Sequence, residues 1–222
     1  LYMSLELVIF DVDGLMLDTE RVWQEVWRDV AKAYSLDDIG NSLFMKVIGH
    51  SGDTVKEILK NDLQGHCTPE DFLQTARTEG LKRLKTQLQV QPGVYEVISY
   101  LSQKKIPMAV ATSTSRCLTE ERLKRVNLYH KFDYICCGDE VSNKKPSPDI
   151  YLKVLRKMDV NSHDALVFED SKVGVTAAYR AHIPCIMVPD LEVPEPDQVK
   201  MTKQILPNLK QAIHVLEKMI EA

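Results

Sequence analysis

With 44% hydrophobic and 27% charged residues, the 222-residue chain has enough apolar material for one sizeable domain, or for a medium one carrying an insertion; this excludes a disordered or fibrous protein. A formal net charge of -4 gives no broad basic field, which argues against nucleic acid as the main partner and leaves room for a local positive pocket. The five cysteines (Cys67, Cys117, Cys136, Cys137 and Cys185) are odd in number and lack Cys-x-x-Cys spacing, so they read as small hydrophobes in a reducing, cytoplasmic setting.

In chain order, Met3 reads as the natural start. Leu7 to Phe10 is an apolar run that Asp11 cuts off, too short for a signal peptide or a membrane span. Four further runs follow: Met108–Ala111 before Thr112, Tyr134–Cys137 before Gly138, Ala165–Phe168 before Glu169, and Cys185–Val188 before Pro189. Such short runs without polar alternation predict strands buried on both faces, hence a parallel sheet. Between them lie helix starts: Thr119 ahead of Glu120 and Glu121, Ser147 ahead of Pro148, and Ser171 ahead of a face carrying Val175, Ala178 and Ala181. Strands alternating with helices predict an α/β class, a doubly wound, Rossmann-like parallel sheet.

One stretch breaks the alternation. From about residue 16 to residue 90 only helical pattern appears. Val22, Val26 and Val30 are four apart beside Trp23 and Trp27, a second helix spans Asp53 to Asn61, and a third starts at the Thr68 cap with Asp71 in its first turn. The expected organisation is an α/β core of residues 1–16 and 91–222 with an inserted helical cap of residues 17–90, hinged near Leu17 to Thr19 and Gln89 to Pro92. No sustained heptad pattern suggests a coiled coil; a monomer or weak dimer is the expectation, and the sequence leaves the oligomeric state open.

Ligands of open parallel sheets bind beyond the carboxyl ends of the strands. The residues there are Asp11 and Asp13, then Thr112 and Ser113, then Lys145, then Glu169 and Asp170. Singly each has an ordinary reading as a turn residue, a helix cap or a solvated charge. Together they suit a phosphoryl group held by a divalent metal: carboxylates for hard Mg2+, hydroxyls and amides for phosphate oxygens, and a lysine to neutralise charge. Crowded acids also cost stability unless a cation binds among them.

The run Phe10-Asp11-Val12-Asp13-Gly14-Leu15-Met16-Leu17-Asp18-Thr19-Glu20 resembles the opening motif of the haloacid dehalogenase superfamily, in the branch containing β-phosphoglucomutase and small sugar- and nucleotide-phosphate phosphatases. Three further motifs arrive in the family's order: Val110-Ala111-Thr112-Ser113-Thr114-Ser115, Lys145-Pro146-Ser147-Pro148-Asp149-Ile150-Tyr151 and Val167-Phe168-Glu169-Asp170-Ser171. The resemblance implies that Asp11 is a nucleophile forming an aspartyl-phosphate. It makes Asp13 the acid/base, with a backbone carbonyl on the metal, and Thr112 and Ser113 the phosphate-binding pair. Lys145 would bridge Asp11 and phosphate, Asp170 would ligate Mg2+, and Glu169 would reach the metal through water. The inserted cap would close over a small phosphorylated metabolite, with Gly49 and His50 in the substrate loop. Asp13 also argues against dehalogenation, because halide departs without a proton.

Within that resemblance the acceptor is water or a sugar. The β-phosphoglucomutases share a histidine shortly after the first motif and an arginine in a Gly-x-Ser-Arg stretch. Trp23 stands in place of that histidine, and Gly49-His50-Ser51-Gly52-Asp53-Thr54 contains no arginine. Asp18-Thr19-Glu20-Arg21 followed by Trp23 looks more like phosphatases of pseudouridine 5′-phosphate and 2-deoxyglucose 6-phosphate, which favours hydrolysis. Ser51 or Asp53 could equally cap the next helix, and Trp23 and Trp27 suit a helical core. A non-catalytic phospho-acceptor on the same fold is the alternative of another class; a receiver domain, however, is shorter and has no helical insertion.

Overall fold

The computed structural model describes residues 5–36, 39–50 and 52–220; the expected start at Met3 and cap at Ser51 lie outside them. The chain divides into two compact units, one of residues up to Asp18 and from Gln89 onward, the other Thr19–Leu88.

The first unit is built on six strands, β1 Leu7–Phe10, β2 Met108–Ala111, β3 Tyr134–Cys136, β4 Ala165–Glu169, β5 Cys185–Met187 and β6 Gln204–Ile205, in the order β3-β2-β1-β4-β5-β6. Every pairing is parallel. This is the expected doubly wound α/β sheet, and its five longer strands start at the expected residues. The sixth, two residues long, has no apolar run to announce it. All residues of β1, β2 and β4 are buried, as a parallel sheet covered on both faces requires. Alternation sends Leu7 and Ile9 to one face, where they pack with Ile150, Tyr151, Val154, Val175 and Ala178. It sends Phe10 and Phe168 to the other, where their rings stack 5.5 Å apart.

The helical unit contains α1 Thr19–Ala33, α2 Gly40–Val47, α3 Asp53–Lys60 and α4 Pro69–Leu84. Thr68 caps α4 by accepting from Asp71 N. Trp27 meets Phe44 and Phe72 edge-on, with ring centroids 5.6 and 5.1 Å away. Gly80 of α4 lies under Trp23, where a Cβ would fall 1.9 Å from Cζ3. Both tryptophans therefore pack this unit. Leu17 and Val90 form an isolated bridge, and Asp18 N donates to Gln89 O at 3.0 Å, so both passages of the chain between the units are anchored in the α/β unit.

The α/β unit adds α5 Val94–Gln103, α6 Arg116–Arg125, α7 Asp149–Met158, α8 Lys172–Arg180, α9 Pro196–Met201 and α10 Ala212–Ile220. Two expected helix starts move. Ser115, not Thr119, is the N-cap of α6; Thr119 lies one turn inside, its hydroxyl donating back to Ser115 O at 2.9 Å. The helix begins earlier because Arg116 is fixed by tertiary partners, Ile135 O and Glu140. α7 begins at Asp149 with Pro148 as N-cap, and Ser147 donates to the Asp149 carboxylate at 2.6 Å. Ser171 caps α8 as expected, accepting from Gly174 N at 3.1 Å. Among the described residues no helix is long and apolar enough to cross a membrane.

Candidate active site

The chain leaves β1 for β2 on one side and later returns to β4 on the other, so β1 lies at the switch of strand order, where open sheets bind ligands. Asp11 follows β1 directly, and its N donates to Phe168 O at 3.1 Å. Phe10 pairs with Phe168 and Val110, which brings the ends of β1, β4 and β2 level. Asp11, Glu169 and Asp170 thus converge, each offering a carboxylate oxygen within 4.8 Å of the others, and all three are buried.

Lys145 enters from the segment after β3, its side chain only 4% exposed. Nζ donates to Asp11 Oδ1 at 2.6 Å, to Glu169 Oε1 at 2.6 Å and to Ala111 O at 2.9 Å, which uses all three ammonium protons. Glu169 is enclosed further: Tyr151 OH donates to Oε1 at 2.7 Å, while Asp170 N, Ser171 N and Ser171 Oγ approach Oε2 at 3.1 to 3.3 Å. Glu169 therefore spends its oxygens on protein donors, while Asp11 and Asp170 flank it.

Burial pushes the Asp11 carboxyl well above the usual carboxylate range; Lys145 pulls it back, and Glu169 and Asp13 repel it. Burial pulls the Lys145 ammonium down, but Asp11 and Glu169 outweigh that pull and its pKa is raised. Tyr151 is raised by burial and then by Glu169, so it stays a phenol and a donor. Three carboxylates face one ammonium here. Hard oxygen donors at this spacing suit a small divalent cation, which would also favour ionised Asp11.

Asp13 has side-chain partners of its own. Its Oδ2 accepts from Thr114 Oγ1 at 2.6 Å, and its Oδ1 accepts from Arg122 Nη1 at 2.9 Å. Thr112 is buried at the end of β2; its N donates to Cys136 O, and its hydroxyl accepts from Thr114 N at 3.2 Å. Ser113 beside it is exposed. Gly49 and His50 belong to the helical unit, in the turn after α2, where His50 is exposed and its N donates to Val47 O.

Sequence reasoning gave no role to Thr114, Tyr151, Arg122 or Gly174. Thr114 and Tyr151 lay inside quoted motifs. The available signal for Arg122 was spacing: Ser115, Thr119 and Arg122, four and then three apart, share one face of α6.

The haloacid dehalogenase-like hydrolase profile matches residues 8–188, which span the sheet from β1 to the end of β5 and the whole carboxylate cluster. The chain is a haloacid dehalogenase-like hydrolase. This hydrolase is 37% identical over 179 residues to a phosphorylated carbohydrates phosphatase of Thermotoga maritima, an alignment covering 81% of this chain and 82% of that one. It is 30% identical over 184 residues to a fructose-1-phosphate phosphatase of Escherichia coli, covering 82% and 95%. A candidate β-phosphoglucomutase from Thermotoga maritima has a similar structure, with a TM-score of 0.79 and 32% identity over 96% of the hydrolase and 99% of that chain.

Proposed function

We propose that this hydrolase is a Mg2+-dependent phosphatase that cleaves a small phosphorylated metabolite, a sugar phosphate or a nucleoside monophosphate, through an aspartyl-phosphate on Asp11. The observation that carries the reading is the Asp11 carboxylate at the end of the central strand, 2.6 Å from Lys145 Nζ and clustered with Asp170.

Asp11 and Asp170, with the Asp13 carbonyl, are the proposed holders of Mg2+, and Glu169 acts behind them. When bound, Mg2+ would neutralise phosphate charge and keep Asp11 ionised. In the first step an Asp11 oxygen bonds to phosphorus, the ester P–O bond breaks, and Asp13 gives its proton to the departing oxygen. In the second, Asp13 takes a proton from water, the water oxygen bonds to phosphorus, and the Asp11–phosphorus bond breaks. Lys145 holds Asp11 in line and meets phosphate charge. Thr112 and Ser113 bind the transferring oxygens, and placed proton transfer contributes about 10²–10⁴ in rate. Gly49 and His50 are proposed substrate contacts of the helical unit, which would act as a cap.

Water as acceptor is favoured because Trp23, standing where the mutases carry a histidine, is packed on Gly80. The test is hydrolysis of p-nitrophenyl phosphate with Mg2+, with EDTA, and by Asp11→Asn. Metal-dependent turnover absent from the variant is expected; none above the variant would leave a non-catalytic phospho-acceptor. Faster formation of glucose 6-phosphate than of free phosphate from β-glucose 1-phosphate, with a trace of the bisphosphate, would establish a mutase instead.

A further inference from the structure

α6 turns a guanidinium inward. Arg122 is 5% exposed, although its helix is charged on nearly every side. Its Nη1 lies 2.9 Å from Asp13 Oδ1, and the Asp13 side chain is itself only 18% exposed. Burying such a pair costs several kcal/mol per ion, and apolar residues of similar volume are often as stabilising. Stability alone does not call for an arginine there. The consequence of the pair is directional: Lys145 takes Asp11 while Arg122 takes Asp13, so each acid of the Asp-x-Asp motif has its own cation.

Arg122 and Thr114 differ in kind as partners of Asp13. A guanidinium can only donate, so Oδ1 facing Arg122 remains an acceptor throughout. A hydroxyl can donate or accept, so the Thr114 Oγ1 bond to Oδ2 survives when Oδ2 carries a proton and the direction of the bond reverses.

We propose that Arg122 is the positioning residue of the acid/base: it pins Asp13 Oδ1 and thereby makes Oδ2, beside Thr114, the oxygen that gives and recovers the proton. The inference rests on the acid/base role proposed above for Asp13. In the first step the Oδ2–H bond breaks as the leaving oxygen gains the proton and the ester P–O bond is cut. In the second, a water proton returns to Oδ2 while the water oxygen bonds to phosphorus. In this role Arg122 acts on Asp13, not on the substrate or phosphorus.

The test separates proton donation from phosphate binding. p-Nitrophenolate leaves without a proton, whereas phenolate, from a phenol of pKa about 10, gains from one. The two esters differ only in the para nitro group, a difference that comparison with wild type cancels, and kcat/KM reports the step that expels the leaving group. Relative to wild type, Arg122→Met should lower kcat/KM for phenyl phosphate by about 10²-fold and for p-nitrophenyl phosphate by less than about tenfold. Arg122→Lys, which keeps a donor, should recover part of the loss. Adding Arg122→Met to Asp13→Asn should cost nothing further. The p-nitrophenyl phosphate rate itself reports that each variant is folded. Equal losses on both esters, or no loss, with Asp13→Asn still discriminating between them would overturn the inference alone. If Asp13→Asn does not discriminate either, the acid/base reading falls and the inference falls with it.

Discussion

Gly174 faces the Glu169 carboxylate so closely that a Cβ at that position would stand 1.9 Å from the carboxyl carbon and from Oε1. The first turn of α8 runs along the enclosed glutamate, and only a glycine leaves it room. Gly174→Ala should displace the carboxylate that Lys145, Tyr151 and Ser171 hold. Overpacking of this kind costs about 1–3 kcal/mol, which urea unfolding would register, and Mg2+ activation should need more metal. Wild-type values of both would mean that α8 shifts freely.

Tyr151→Phe removes one buried donor to Glu169 and almost no volume. Lost hydrogen bonds to a charged group are worth about 1.5–3 kcal/mol. The variant should melt at lower temperature and bind Mg2+ more weakly by calorimetry, because Glu169 is freer to turn. Unchanged metal affinity would restrict Tyr151 to packing.

In the helical unit, Gly80→Ala sets two effects against each other. Alanine in a helix interior is favoured over glycine by about 1 kcal/mol. Here the new methyl would fall 1.9 Å from the Trp23 ring. The contact should win, so the variant should be less stable in denaturant melts; a more stable protein would show that Trp23 moves aside at little cost.

Burial raises the Asp11 carboxyl well above its ordinary 3.8 in the folded chain. A folded state that binds the proton more tightly than the unfolded chain loses stability from that group as pH rises from 3.8 towards the folded value. In EDTA, the Tm of wild type should therefore fall relative to that of Asp11→Asn across this window. Mg2+, competing with the proton for the carboxylate, should close the gap. A gap that narrows as pH rises without metal would reverse the sign and contradict the argument.

The strands were legible because burial on both faces leaves uninterrupted apolar runs: β1 and β2 lie at the expected residues, Leu7–Phe10 and Met108–Ala111. Asp11, Lys145, Glu169 and Asp170 were legible because a parallel sheet brings strand ends together, so position after a run carries spatial information. Arg122 was not, since α6 has no apolar stripe and its burial depends on Asp13, which arrives from another strand. The start of α6 was misread for the same reason. Arg116 is held by Ile135 O and Glu140, contacts that no local pattern in the helix encodes. Asp13 was legible as an acid, but the direction its carboxylate faces was not.

The central place of β1 also bears on synthesis. Leu7 pairs with Ala165 and Val8 with Met108, so the strand that ends in Asp11 is made first and finds its neighbours late. At about 5–20 residues per second, β4 emerges on the order of ten seconds after β1. Until β2 emerges Leu7–Phe10, entirely apolar, has no strand to pair with, and its second neighbour, β4, arrives later still, while the compact segment Thr19–Leu88 is contiguous in the chain. The nascent chain thus carries an unpaired apolar strand ahead of a contiguous helical segment, and the sheet closes around β1 only after most of the chain has been made.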